Sequence, residues 1–288
     1  MSYRTLVDVA TTAAHLNDAQ WMLVDCRHDL TNPDFGRDAY RDGHIPGARF
    51  LHLDTDLSGP MTGINGRHPL PDPQRLADRL RALGLSMDTQ VVAYDDAGGM
   101  FAARLWWLLR WLGHDAVAVL DGGLHAWMDA MQPLDADLPA VPAPGNFTPR
   151  PAPPGQADTV DASYITAHLN HPGMRLIDAR SPDRFRGENE SLDPVGGHIP
   201  GALNRFFRDN LNTAGLFHPA PVLRTQFETL IGPHTPSAVV HQCGSGVTAC
   251  HNLLAMEHAG LHGSRLYPGS WSEWCADPAR PVARGAEA

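Results

Sequence analysis

Short apolar runs and longer amphipathic stretches alternate along this chain, and they do so twice. Residues 23–25 and 176–178 are brief apolar segments that lead into an aspartate, the pattern of buried parallel strands. The spacing of Leu76, Leu80 and Leu83 predicts a helix over 74–83, ended by Gly84. A richer helical run covers 102–112 and closes at Gly113; its partner covers 249–259 and closes at Gly260. Strands that alternate with helices predict an α/β fold, with a mostly parallel sheet flanked by helices in each half.

The halves are copies of one another. Gly43-His44-Ile45-Pro46-Gly47-Ala48 returns as Gly197-His198-Ile199-Pro200-Gly201-Ala202. Leu23-Val24-Asp25-Cys26-Arg27 is echoed by Leu176-Ile177-Asp178-Ala179-Arg180, and the strand 90–94 by 238–241. Gly122 and Trp127 fall 147 positions before Gly269 and Trp274. Four matches in the same order identify an internal duplication. The expected domains are 1–138 and 156–288, joined by a proline-rich, semi-rigid linker over 139–155.

Charge and composition remove several classes of function. Twenty-two basic against 32 acidic residues leave a formal charge of −10, which repels phosphate backbones and argues against a nucleic acid partner. No apolar run approaches the ~20 residues that span a bilayer, and Met1-Ser2-Tyr3-Arg4-Thr5 has no apolar leader core. The four cysteines form no CxxC pair and are too few for a disulfide framework, so reduced thiols in a cytoplasmic protein are expected. The 16 histidines are scattered, and no metal site is read from them.

One cysteine stands where chemistry is expected. Cys243-Gly244-Ser245-Gly246-Val247-Thr248 lies between a strand at 237–241 and a helix that starts near Ala249. A glycine-rich turn can direct its amides inward, and together with the positive end of a helix it forms an anion-binding nest. Such a nest stabilises negative charge on sulfur, whether thiolate or terminal persulfide. Anchoring the copies on Gly99 and Gly246 puts Asp96 at the cysteine position of the first copy. A carboxylate cannot carry a sulfane sulfur, so one active site is expected, in the second domain.

The two Gly-His-Ile-Pro-Gly-Ala motifs, the Cys-Gly-Ser-Gly-Val-Thr loop and Gly269-Ser270-Trp271-Ser272-Glu273-Trp274 together resemble the tandem rhodanese family, over nearly the whole chain. The resemblance implies two rhodanese-like α/β domains, the first of them inactive, and sulfur transfer without a cofactor. The neutral residues Gly244 and Ser245 resemble the loop of 3-mercaptopyruvate sulfurtransferases, whereas thiosulfate-preferring members carry cations there. The resemblance places donor binding on Arg184 and on the loop Gly244, Gly246, Val247 and Thr248. A second arginine, common before the second Gly-His-Ile-Pro-Gly motif, is missing from 188–197; Arg186 is the candidate to replace it.

In that subfamily a loop serine belongs to a Ser-His-Asp relay. The candidates are Ser245, His44 and Asp38, with Asp34 and Asp42 as rivals for the carboxylate. His198 repeats His44, so a turn-holding role competes with catalysis for His44. His68, in Arg67-His68-Pro69-Leu70-Pro71, is read as turn packing. The expected reaction moves sulfur from a small-molecule donor, 3-mercaptopyruvate, through a Cys243 persulfide to a thiol, thioredoxin or cyanide. Thiosulfate sulfurtransferase and a non-catalytic persulfide carrier are the alternatives. The absence of an arginine six residues after Cys243, where Ala249 stands, argues against a cysteine phosphatase.

Overall fold

The alternation of strands and helices forms two parallel sheets, one in each of two units. The computed structural model describes residues 2–169 and 171–286, so the outermost limits of the expected domains, Met1 and Ala288, lie outside the described residues. The first unit takes Met1–Gly59, Pro71–Ala152 and Thr213–Phe217; the second takes Pro60–Leu70, Pro153–Asn212 and His218–Ala288. Two short segments therefore belong to the unit opposite to that of their flanking chain.

The first unit contains β1 (Leu6–Val7), α1 (Val9–Ala14), β2 (Trp21–Asp25), α2 (Phe35–Asp42), β3 (Arg49–Phe50), α3 (Pro73–Ala82), β4 (Gln90–Tyr94), α4 (Ala102–Trp111), β5 (Val117–Leu120) and α5 (Gly123–Asp129). Its sheet runs β1-β5-β4-β2-β3, with every pairing parallel. The helices start where the chain supplies a cap. Asp8 accepts the Thr11 amide at the head of α1, and Asp72 accepts that of Arg75 just before Pro73 in α3. Residues 139–150 form neither helix nor strand.

The second unit repeats the plan with α6 (Ala162–Ala167), β6 (Arg175–Asp178), α7 (Pro182–Arg186), β7 (Leu203–Asn204), α8 (Ala220–Ile231), β8 (Val239–Gln242), α9 (Ala249–His258), β9 (Arg265–Leu266) and α10 (Ser270–Trp274). Its sheet runs β7-β6-β8-β9, again parallel, and an isolated parallel bridge between Thr159 and Leu266 stands where β1 pairs in the first unit. β8 begins two residues later than the apolar run suggests, because Pro236–Ala238 forms a 3-10 turn. Each central strand leads into a helix with almost no exposed face: residues 102–110 of α4 and 249–256 of α9 are all buried. No helix among the described residues is long and apolar enough to cross a membrane.

An Asp-x-Arg device closes the second strand of both units. Asp25 receives Arg27, whose Nη2 also donates to the Gly43 carbonyl at 2.7 Å; Asp178 receives Arg180, which donates to the Gly197 carbonyl at 2.7 Å. Both pairs are buried. Each fastens the end of a strand to the Gly-His-Ile-Pro-Gly turn, which accounts for that motif's recurrence on structural grounds.

Candidate functional site

The sheet register decides which residues of the two copies correspond. Asp25 pairs with Tyr94, and Asp178 with Gln242. The residue leaving the central strand is therefore Asp95 in the first unit and Cys243 in the second. The alignment that set Asp96 against Cys243 is corrected by one place, because the first loop holds one residue more before its helix. The Asp95 carboxylate, fully buried, accepts the amides of Ala97, Gly99, Phe101 and Ala102 at 2.8–2.9 Å. The first unit thus fills its own loop with an anion. Asp96 is half-buried beside it, and burial together with the Asp95 charge raises its carboxyl above the ordinary range.

In the second unit the sulfur of Cys243 occupies this position. Gly246 donates its amide to Cys243 Sγ at 3.1 Å. Gly246 has φ +79, and a Cβ there would lie 2.4 Å from the Pro268 carbonyl, so the turn requires glycine on both counts. The chain of α10 braces the loop from behind. Trp271 donates its amide to the Cys243 carbonyl at 3.0 Å and Ser272 to that of Gly244 at 2.9 Å, while Ser270 Oγ accepts the Cys243 amide at 3.1 Å. The Arg180 guanidinium lies over the Trp271 ring, 4.8 Å from its centroid. Burial pulls its pKa down, but the charges of Asp178, Glu190 and Cys243 outweigh this and raise it. Val247 is buried in the loop and Thr248 is the first residue before α9.

Ser245 is joined to a histidine, though not to the expected one. Its Oγ lies 2.7 Å from Nδ1 of His68, in the Pro60–Leu70 segment of the same unit. Both side chains are buried. The proposed partnership with His44 is corrected accordingly. His44 Nδ1 donates to the Tyr40 carbonyl at 2.7 Å, and its ring stacks on Tyr40 at 4.0 Å. His198 does the same with the Phe185 carbonyl and ring. Both histidines hold the turn after a helix. Asp38 is an exposed residue of α2 facing Arg41 at 3.6 Å, and its rivals Asp34 and Asp42 are exposed as well.

Two guanidiniums converge on Gly244. A methyl group built there would lie 2.9 Å from Arg67 Nη2 and 3.5–3.6 Å from the terminal nitrogens of Arg184. Arg184 forks onto Glu190 at 2.8–3.1 Å and reaches Asp193 at 3.4 Å; Arg67 pairs with the other oxygen of Asp193. Burial raises the Asp193 carboxyl above its ordinary value, with Arg67 opposing the shift. Burial acts in the same direction on Glu190, but Arg184 and the amides of Leu192 and Asp193 outweigh it and lower that group. Arg186 lies elsewhere: it forks onto Glu188 at the surface at 2.7–2.8 Å, so it does not replace the missing arginine beside the loop.

Comparison with known proteins bears directly on this pair of loops. The model of the rhodanese-like domain matches twice, over residues 8–130 and 161–277. The chain belongs to the rhodanese-like domain family. A Pseudomonas aeruginosa protein named "Probable 3-mercaptopyruvate sulfurtransferase" is 49% identical over 99% of this chain and 100% of its own length. The thiosulfate sulfurtransferase of Bos taurus is 32% identical, over 89% of this chain and 83% of its own. The solved 3-mercaptopyruvate sulfurtransferase of Leishmania major superposes with a TM-score of 0.82 at 33% identity, over 94% of this chain and 74% of that one.

In this rhodanese-like chain the segment carrying Arg67 and His68 is held by close contacts. Gly66, at φ +83, would place a Cβ 2.7 Å from the Gly269 carbonyl, and the Arg67 amide donates to Ser272 Oγ at 3.1 Å. One signal for His68 was available in the sequence. Phe217-His218-Pro219 repeats the His-Pro step of Arg67-His68-Pro69 ahead of the matching helix. The first run lies inside the Pro60–Leu70 segment of the second unit, and the second begins at the end of the Thr213–Phe217 segment of the first. The remaining thiols, Cys26, Cys250 and Cys275, form no disulfide and are buried, and Cys250 Sγ donates to the Gly246 carbonyl at 3.3 Å. Of potential metal ligands among the described residues, His28, His52 and Asp54 gather in the first unit; His52 already accepts the Asp54 amide at Nδ1 and faces the Pro33 carbonyl at Nε2.

Proposed function

We propose that this rhodanese-like protein is a sulfurtransferase that takes sulfur from 3-mercaptopyruvate onto Cys243 and passes it on from a persulfide. The observation that carries the reading is the paired loop. The loop after the central strand turns four amides onto a carboxylate in one unit, and in the other turns the Gly246 amide onto the Cys243 sulfur. A ring able to hold Asp95 suits a thiolate and the terminal sulfur of a persulfide equally well.

The steps follow from the groups present. The Cys243 thiolate attacks the thiol sulfur of the donor, an S–S bond forms and the carbon–sulfur bond breaks. The released electron pair passes to pyruvate as its enolate, which takes a proton by way of Ser245, with His68 as the base that orients and resupplies it. Arg184 holds the donor carboxylate. A thiolate, thioredoxin or cyanide then attacks the outer sulfur and frees Cys243. A cytoplasmic setting is part of this proposal and rests on the small number of cysteines in the sequence.

A second reading, thiosulfate sulfurtransferase, draws on the two guanidiniums beside Gly244, which attract a dianion as well as a carboxylate. The experiment that separates the readings is paired steady-state kinetics with the two donors and one thiol acceptor. A kcat/KM at least about tenfold higher for mercaptopyruvate, about 1.4 kcal/mol in barrier, is expected. A preference for thiosulfate would discard the Ser245–His68 proton step and keep the persulfide.

A further inference from the structure

We propose that the first unit carries a ligand site of its own: a groove lined by α2, β3, α3 and the irregular segment 138–142 takes an organic phosphate, with its charge on four arginines and its carbon body against an apolar wall. The inference is independent of the sulfur chemistry.

The groove holds about 450 Å³, within the range of small-molecule sites, and all of its residues belong to the first unit. Arg37 and Arg41 line it from α2, Arg49 from β3 and Arg79 from α3, and no aspartate or glutamate lines it. Such a gathering is unfavourable by itself. Arg37 and Arg41 stand four places apart on one face of α2, where like charges repel. Compensation is sparse. Arg79 bonds Asp56 at 3.0 Å, while Arg41 faces Asp38 at 3.6 Å with both side chains largely exposed, so solvent screens that pair. Arg49 donates to a neutral acceptor, the Ala140 carbonyl, at 2.9 Å. Among the described residues no side chain pairs with Arg37. In a chain of formal charge −10, four of the 22 basic residues therefore meet where only two carboxylates answer them. A ligand that brings negative charge would relieve that repulsion.

The apolar wall narrows the choice of ligand. Leu138 and Val141 line the groove while 64% and 91% exposed, and Tyr40 and Phe50, with ring centroids 5.5 Å apart, line it as well. The wall is held in place by its own bonds. Besides the Arg49 bond to Ala140, the amides of Gly145 and Phe147 donate to the carbonyls of Arg81 and Leu85 at 2.9 and 3.1 Å. A wall fixed in this way lowers the ordering cost of binding. Guanidiniums match phosphate oxygens with paired donors, and several of them together suit a multiply charged group better than a single carboxylate. Apolar surface beside them favours an ester with a carbon body over the free ion.

The test is calorimetric titration of the full chain with ATP, in the absence of divalent metal, and with inorganic pyrophosphate. Wild type should bind ATP with a Kd below about 1 mM at low salt. Arg37→Gln/Arg41→Gln should weaken both probes at least about tenfold, through loss of charge-assisted hydrogen bonds. Leu138→Ser/Val141→Ser should weaken ATP about threefold or more and leave pyrophosphate within about twofold of wild type. Raising the salt from about 50 to 200 mM should weaken wild type more than the arginine variant. All four positions are exposed, so urea midpoints should match wild type, which separates loss of the site from loss of the fold. A wild type that binds neither probe below about 5 mM, or an arginine variant that binds both within about twofold of wild type, would overturn the site. An equal response of the two probes to Leu138→Ser/Val141→Ser would overturn the role of the wall, and with it the choice of an ester.

Discussion

Asp95 and Cys243 stand at the same point of the two units, each directly after the strand residue that pairs with the aspartate of an Asp-x-Arg device. One side chain is a carboxylate held by four amides; the other is the thiol proposed above as the nucleophile. Under the proposed function, the first unit displays with its own carboxylate the kind of interaction the second makes with a persulfide sulfur.

Asp95 should accordingly matter for stability. Asp95→Ala leaves four amides, three of them buried, without their acceptor, a cost of about 3–5 kcal/mol. Urea unfolding followed by tryptophan fluorescence should show the transition of the first unit shifted to lower denaturant. A midpoint equal to wild type would mean that solvent satisfies those amides without penalty.

Cys243→Ser should fold normally, since the side chain is buried in a loop braced by backbone bonds of Trp271 and Ser272. Exposure to donor followed by intact mass analysis should add one sulfur atom to wild type and none to the variant. A sulfur adduct on the variant would move the nucleophile to Cys26, Cys250 or Cys275.

His68 and His44 should separate cleanly. His68→Gln removes the group bonded to Ser245 and should lower kcat with mercaptopyruvate by about 10²–10⁴-fold at near-constant stability. His44→Gln removes a stacked, hydrogen-bonded turn residue and should cost about 1–3 kcal/mol of stability, with kcat within about twofold of wild type. Stability curves and kcat on both variants decide the matter; the reverse pattern would restore His44 to the relay.

That exchange shows what was legible in the sequence. The strands, the helices and the duplication could be read because apolar periodicity and repeated motifs are local. The histidine partner was harder. His44 sits in the more conspicuous motif, yet a motif present in both copies reflects the shared fold, and His198 performs the same structural task. His68 and Arg67 belong by sequence to the first half and by packing to the second unit, through the Gly66–Gly269 contact. No periodicity announces that crossing. The shift from Asp96 to Asp95 has a similar origin, since a one-residue difference in loop length is invisible until the strands are in register.

Protonation of His241 should set part of the acid sensitivity. This histidine is buried in β8 with Nε2 3.1 Å from Met256 Sδ, and burial pushes its pKa from the usual 6.5 down to about 3. Between those values the unfolded chain holds the proton and the folded chain does not. The stability is thus fully present above pH 6.5 and is lost as pH falls towards 3, at up to about 1.4 kcal/mol per unit. His241→Leu should remove about one proton from the slope of unfolding free energy against pH over roughly 5–6.5. An unchanged slope would place the titration on other groups.

Ser270 carries a strain that its hydroxyl repays. It adopts φ +56, a left-handed conformation unusual for a residue with a side chain, where the first unit has Gly123 at φ +58. Its Oγ accepts the Cys243 amide at 3.1 Å and donates to the Tyr267 carbonyl at 2.9 Å, so it ties the backbone of Cys243 to the chain behind it. Two substitutions separate strain from tether. Ser270→Gly relieves about 1 kcal/mol of backbone cost while losing bonds of similar worth, so stability should change little. Ser270→Ala loses the bonds and keeps the strain, and should cost about 2 kcal/mol. Both free the Cys243 amide and loosen the sulfur's position, so both should lower kcat, by about tenfold if the misplacement is a few tenths of an ångström. Urea midpoints and single-turnover sulfur loading on the two variants are the measurements. If Ser270→Gly loads sulfur at the wild-type rate, the hydroxyl serves the fold alone, and the loop's geometry rests on the Trp271 and Ser272 amides.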